Sequence, residues 1–413
     1  MVQVPEHELD RIFAEEVRRF VFSGHPKPTG RPTLVLLGAQ PAAGKSSAAA
    51  ALERRHPGGA LVPLTGDELR PFHPDYHSIV AEDPLRMPNA TAQASGQWVK
   101  RSIDHAEREG HSLLLEGVFR DPAMVVGTAE RFDRAGYRVE AVGLAVRAEE
   151  SLLSSVGRYL RPGEDVDIGR WTPLSAHESA FPMIPETLRA CQDSPYFSRI
   201  SVTDRTGGEL YVLERGPDGA WIPDPRHPDP SAGEFAERHR SRPLEPARGE
   251  AWLAGYWRYA QEMMERGELN AVTAPTFLRL HTHADRVAEQ VYGQGRTVQD
   301  RTVQDRDIPH SREEHGRWQQ VQRAVFMAAE RGTPDPGLPH RPDRFLEADA
   351  EERRKFVAVL HESGAQAHGD AREAASRGRL GMGPPGRGRP QDHRPGGAAE
   401  RPRGKEQDPG LER

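Results

Sequence analysis

Apolar and polar positions along this chain follow two rhythms, and together they predict a sheet wrapped in helices. Over residues 6–22 the apolar side chains Leu9, Ile12, Phe13, Val17, Phe20 and Val21 recur at the spacing of one buried helix face. A loop holding Pro26, Pro28 and Gly30 ends that helix. Residues 33–37 read as a short buried strand, 38–45 as a glycine-containing loop and 46–55 as an alanine-rich helix. Further strands are expected at 60–64, 112–115, 138–146 and 199–202, separated by segments of helical length such as 91–109 and 148–160. Such alternation predicts an α/β fold, a parallel sheet with helices on both faces, whose ligands bind beyond the carboxyl ends of the strands.

Past Leu213 the pattern changes. Residues 217–246 are dense in Pro, Asp, Arg and His with little apolar periodicity, so 216–250 is expected to be a linker. Helical patterning resumes with Trp252, Leu253, Tyr256, Trp257, Met263 and Met264, then over 277–292, 318–329 and 345–360, which predicts a helical C-terminal region over 251–370. The tryptophan and methionine stripe has the spacing of core packing rather than of a ligand site. Residues 296–300 and 301–305 both read RTVQD, a duplication too short for a solenoid repeat. From 371 to 413 the chain is rich in Gly, Pro and Arg and is expected to be a disordered tail, because such a composition cannot bury enough apolar surface to offset chain entropy.

Composition narrows the chemistry. Hydrophobic residues are 36% and charged residues 29% of 413, with 40 Gly and 36 Pro, so the core is expected to be confined to part of the chain. The net charge of −6 gives no overall electrostatic reason to expect nucleic acid or an anionic membrane as partner. Cys191 stands alone, which excludes intramolecular disulfides and cysteine-clustered zinc and suits a reducing cytoplasm. Residues 1–10 are polar, and no apolar run approaches the ~20 residues that span a bilayer. His281 and His283 with Asp285 lack a metal motif and read as surface or capping residues.

The chemistry concentrates after the first strand. Gly38-Ala39-Gln40-Pro41-Ala42-Ala43-Gly44-Lys45-Ser46 nearly fits a phosphate-binding loop, with Ala39 where the first glycine belongs. In such a loop residues 40–47, namely Gln40, Pro41, Ala42, Ala43, Gly44, Lys45, Ser46 and Ser47, surround phosphates at a helix N-terminus, the main-chain N–H groups of all but Pro41 being available as donors. Lys45 then reaches the β/γ-phosphates and Ser46 a Mg²⁺ ion. This predicts ATP or GTP with Mg²⁺ as cofactor. After the second strand come Gly66-Asp67-Glu68-Leu69-Arg70 and His73-Pro74-Asp75-Tyr76, and after the third Leu115-Glu116-Gly117 with Arg120 and Pro122.

That combination resembles the zeta-toxin kinases over roughly residues 33–211. The resemblance implies a kinase of UDP-N-acetylglucosamine, acting on the sugar 3′-hydroxyl, and a toxin held in check by a small helical antitoxin. It implies Asp67 as catalytic base, with an N-cap as the alternative role for that residue. Glu116 and Arg120, with Glu68 and Arg70 near them, match the acceptor pocket, with Mg²⁺ or water binding as the alternative for Glu116. Val118 departs from the family, whose members commonly carry Thr there. Phosphoryl transfer needs cations to offset charge on the transferring oxygens, and Arg158 and Arg170 resemble the family's phosphate-facing pair, with Arg147 and Arg161 as competing choices.

A GTPase would need an Asn-Lys-x-Asp element, and neither Asn89 nor Asn270 precedes lysine. A nucleic-acid end kinase shares the loop and the base but wants a basic groove, which the acidic balance does not favour. The remaining rivals are a P-loop kinase of another acceptor such as an antibiotic, and an interaction protein whose helical half reads nucleotide state.

Overall fold

The computed structural model describes residues 3–56, 60–82, 86–117, 119–161, 169, 171–227, 231–293 and 311–332. The duplicated RTVQD segment, the helix expected at 345–360 and the tail from 371 lie outside them, as do Val118 and Arg170.

The N-terminal helix runs as α1 (Glu6–Ile12), a π-helical turn (Phe13–Val17) and α2 (Arg18–Phe22). Then follow β1 (Thr33–Gly38), α3 (Lys45–Arg55), β2 (Leu61–Leu64), a 3₁₀ turn (Arg70–Phe72), α4 (Tyr76–Glu82), α5 (Met87–Ala90), α6 (Ala92–Glu109) and β3 (Ser112–Gly117). The chain continues through α7 (Pro122–Arg134), β4 (Arg138–Leu144), α8 (Ala148–Leu160), α9 (Leu174–Ala180), α10 (Met183–Asp193), β5 (Arg199–Thr203), β6 (Glu209–Arg215) and β7 (Trp221–Ile222). It ends in α11 (Ala232–Arg240), α12 (Pro246–Glu265), α13 (Ala274–Tyr292) and α14 (Arg312–Glu330).

The sheet has seven strands in the order β2-β3-β1-β4-β5-β6-β7; the first five are parallel and the last two antiparallel. Because side chains alternate across a strand, β1 feeds two cores. Leu34 and Leu36 join Trp98, Phe132 and Ile184 on one face, while Val35 and Leu37 join Ala48, Ala49 and Leu52 of α3 on the other. Small alanines let α3 approach the sheet closely. Register sets Gly38 opposite Gly117 and Leu64 opposite Leu115, so β1, β2 and β3 release the chain at one edge.

Two departures from expectation have physical causes. Residues 216–250 contain β7 and α11: Ser231 caps α11 by accepting from the Glu234 amide, and Phe235 and Ala236 are buried in the sheet core. A short strand and a nine-residue helix carry too few apolar positions to show a period among so many prolines and charges. The C-terminal helices, in turn, do not stand apart. Trp252, Leu253, Tyr256, Phe277 and Phe326 form one core with Leu152, Leu153, Val156 and Leu160 of α8, so the helical region is built onto the sheet domain. Among the described residues no helix is long and apolar enough to cross a membrane.

Candidate functional site

The turn after β1 is shaped by three crowded positions. At Gly38 a Cβ would overlap the Phe119 ring at 2.0 Å, so the missing side chain lets the segment after β3 lie against the end of β1. Gly44 has φ 102°, and a Cβ there would meet the Arg205 carbonyl at 2.5 Å; glycine is required on both counts. Ala42 also takes a left-handed φ of 58°. Ala39, standing where the pattern wants glycine, is fully buried and adds its methyl to the core under α3. The loop thus keeps its shape without the first glycine. Lys45 opens α3 and folds back over the loop, its Nζ donating to the carbonyls of Ala39 at 3.3 Å and Gln40 at 3.5 Å.

Gln40 has a further role through its side chain. Its side chain is fully buried and turned away, with Nε2 donating to the Val146 carbonyl at 2.9 Å and to Ser151 Oγ at 3.1 Å, and the Ser151 hydroxyl lies 2.8 Å from His177 Nε2. An uncharged amide can be buried where it finds backbone partners, and Gln40 uses that to tie the loop to α8 and α9. Burial, with Arg279 nearby, lowers the His177 imidazole to about 4, so it is neutral at physiological pH.

At the end of β2 the Asp67 carboxylate takes a hydrogen bond from Arg70 Nε at 3.0 Å. Turns and the 3₁₀ segment follow Asp67, rather than the α-helix an N-cap would start. Arg70 is anchored in turn, its Nη1 donating to Thr91 Oγ1 at 2.8 Å and to the Pro88 carbonyl at 2.5 Å. It braces Asp67 from behind and does not line the cavity. His73 Nδ1 accepts from the Asp75 amide at 3.1 Å, so this part of the motif shapes a turn.

From α8, Arg158 Nη2 donates to Thr172 Oγ1 at 3.0 Å. The competing arginines are engaged elsewhere. Arg147 pairs with Glu150 and donates to the carbonyls of Arg242 and Pro243, and Arg161 pairs with Glu262 of α12.

These segments enclose a cavity of about 740 Å³. Of the loop residues, Pro41, Ala42, Gly44, Lys45 and Ser46 line it, whereas Gln40, Ala43 and Ser47 do not. Asp67, Glu68, Glu116, Arg120 and Arg158 line it too. Sequence reading missed Glu53, Thr65, Ser154 and Thr172 on the same walls. Two of these were findable: Glu53 follows Ser46 and Ala49 at the i, i+3, i+7 spacing of one helix face, and Ser154 precedes Arg158 by one turn.

The cavity carries both signs of charge. Lys45 and Arg158 offer cations beside the N-terminus of α3, where main-chain N–H groups and the helix dipole favour anions. Burial raises the Glu116 carboxyl above the usual carboxylate range, against the lowering effect of nearby Lys45, with Glu68, Asp67 and Glu53 adding to the rise. Burial, Asp67 and Glu53 likewise raise Glu68. A triphosphate fits the cationic wall, and a hydroxyl-bearing molecule fits the carboxylates. His281 and His283, expected to be surface or capping residues, are buried in α13, and burial together with Arg286, Arg279 and His177 lowers His283 to about 4.

Residues 21–215 match the family model described as Zeta toxin. Over 186 residues the chain is 27% identical to Toxin zeta of Enterococcus hirae, covering 45% of this chain and 65% of that protein. Over 190 residues it is 25% identical to Toxin PezT of Streptococcus pneumoniae serotype 4, covering 45% and 73%. The match therefore spans just under two thirds of the Enterococcus protein. A solved structure from the PezAT chromosomal toxin–antitoxin system of Streptococcus pneumoniae has the same fold, with a TM-score of 0.52 at 21% identity over 62% of this chain and 97% of that one.

Proposed function

We propose, from the match of residues 21–215 to the Zeta toxin family model, that the protein is a nucleoside-triphosphate-dependent kinase that phosphorylates a hydroxyl of UDP-N-acetylglucosamine. The observation that carries this reading is that Lys45 and Ser46 of the loop and Asp67 at the end of β2 line one cavity. In it, the amides at the start of α3 and Lys45 hold the β- and γ-phosphates, and Ser46 offers its hydroxyl to Mg²⁺. The fit of that ion rests on the Ser46 hydroxyl at the helix N-terminus, which with the donor's phosphate oxygens would give the few oxygen ligands that Mg²⁺, which keeps several waters, takes beyond its hydration shell. Bound Mg²⁺ supplies charge neutralisation at the phosphate oxygens.

Asp67 accepts the proton of the attacking hydroxyl, and Arg70 keeps its carboxylate aimed. Glu116 and Glu68 take hydroxyl hydrogen bonds from the acceptor, and Arg120 offsets acceptor phosphate charge. Arg158 faces the transferring phosphoryl group, and Arg170 is assigned beside it from sequence alone. The γ-phosphorus–oxygen bond to the donor breaks as the acceptor oxygen bonds to phosphorus, giving a nucleoside diphosphate and a sugar phosphate. In the cell we assign it to the cytoplasm as the toxin of a toxin–antitoxin pair, with a small helical protein as antitoxin. The test is a screen of γ-labelled ATP and GTP against nucleotide sugars, antibiotics and oligonucleotide ends. Label in UDP-N-acetylglucosamine supports the reading; label only in another acceptor, or only in free phosphate, rejects it.

A further inference from the structure

The Arg158 guanidinium rests on a neighbour from another part of the chain: its Nη2 donates to Thr172 Oγ1 at 3.0 Å, and both residues line the main cavity. The two side chains differ in freedom. Arg158 is exposed, and a long arginine side chain fixed in one direction gives up rotamer entropy. Thr172 is buried, branched at Cβ and followed by Pro173 at the start of α9, so its hydroxyl is already set by the fold.

The segment that carries Thr172 is itself tied to α8. His177 Nε2 lies 2.8 Å from the hydroxyl of the fully buried Ser151, and the His177 ring stacks on Phe181 with centroids 6.1 Å apart. Ser151, Ser154 and Arg158 share one face of α8 at the i, i+3, i+7 spacing. Residues 172–177 therefore meet that face at both ends, and Pro173 and Ala176 between them line the cavity. Ser154, midway, accepts from Arg205 Nη2 at 2.9 Å, a contact that holds the helix, whereas Thr172 holds the side chain that projects from it. A hydroxyl oxygen carries no net charge. Its bond aims the guanidinium and leaves the charge available to phosphate, whereas Glu150 and Glu262 pair with Arg147 and Arg161 as carboxylates.

We propose that Thr172 is a positioning residue for Arg158, its hydroxyl holding the guanidinium on the cavity wall so that the positive charge is in place before the phosphoryl group moves. The inference rests on the kinase reading and deepens it. Preorganised charge of this kind acts on the transition state more than on substrate binding.

Steady-state kinetics with Mg-ATP and UDP-N-acetylglucosamine test it. Thr172→Val keeps the branched shape and removes the hydroxyl, and should lower kcat about tenfold, the scale of one hydrogen bond to a charged group, with KM unchanged for both substrates. Thr172→Ser should keep the parent rate. On an Arg158→Ala background Thr172→Val should cost nothing further, because the group it positions is gone. Thr172→Ala carries the same expectation as Thr172→Val, and melting temperatures confirm that each variant folds. An active parent with Thr172→Val and Thr172→Ala neutral, with Thr172→Ser as slow as either, or with the same loss on the Arg158→Ala background, overturns the assignment alone. A parent that forms no sugar phosphate overturns the kinase reading and the assignment with it.

Discussion

In the proposed reaction Asp67 is the base, and Arg70, assigned from sequence to the acceptor pocket, braces it through its Nε hydrogen bond. Asp67→Asn removes the proton acceptor while leaving the phosphate loop intact, so transfer should fall ~10²–10⁴-fold with nucleotide affinity preserved, as calorimetry would read. Lys45→Ala should weaken both, and a Lys45→Ala variant that binds nucleotide like the parent would contradict the assignment of the loop. His177 makes a different prediction. Its folded value of about 4 lies below the ordinary ~6.5, so the unfolded chain binds the extra proton between those values. Its stabilisation is full above about pH 6.5 and is lost as pH falls toward 4, amounting to about 3 kcal/mol at most. Melting temperatures of His177→Gln should therefore decline less than the parent's between pH 6.5 and 4.5; parallel declines would refute this.

Among the elements, α8 carries the main coupling between the two halves. One face presents Ser154 and Arg158 to the cavity, while Trp252 Nε1 donates to the Glu149 carbonyl and Arg266 to the Leu160 carbonyl on the other side. Tyr259 of α12 sits directly over Gly157, where a Cβ would meet its hydroxyl at 2.8 Å. In an open helix Gly→Ala gains ~1 kcal/mol, but overpacking costs ~1–3 kcal/mol, so the clash wins here. Gly157→Ala should lower turnover several-fold by displacing Arg158, and adding Tyr259→Ala should restore it; a double variant as slow as the single one would rule the coupling out. The same element explains what was legible in sequence. The five parallel strands, with the helices at 46–55, 91–109 and 148–160, were legible because each carries a clear apolar run or an amphipathic or alanine-rich stretch. By contrast, β6 and β7, short or half exposed, left no such mark. The arrival of Thr65 and Thr172 on the same walls depends on how helices stack over the sheet, which no local pattern records. Gln40 sits inside a phosphate-loop motif, and only its burial against Ser151 and His177 shows the side chain turned the other way.

At the scale of the whole molecule, the helical C-terminal region completes the core of the domain that bears the site. Ending the chain at Glu245 would strip the cover from Leu152, Leu153, Val156 and Leu160. At ~1.5–3 kcal/mol for each large side chain, that exposure rivals the ~5–15 kcal/mol that holds a domain folded. Such a chain should aggregate, and a monomeric, cooperatively melting product on size-exclusion chromatography and calorimetry would show that the two parts are independent. The central claim remains that one cavity brings a phosphate loop and a carboxylate base to the same hydroxyl. Phosphorus NMR of Mg-ATP with UDP-N-acetylglucosamine, run side by side on the parent and Asp67→Asn, tests it most directly. The account predicts a new sugar phosphomonoester resonance with the parent and none with the variant; equal product from both, or only inorganic phosphate from either, would contradict it.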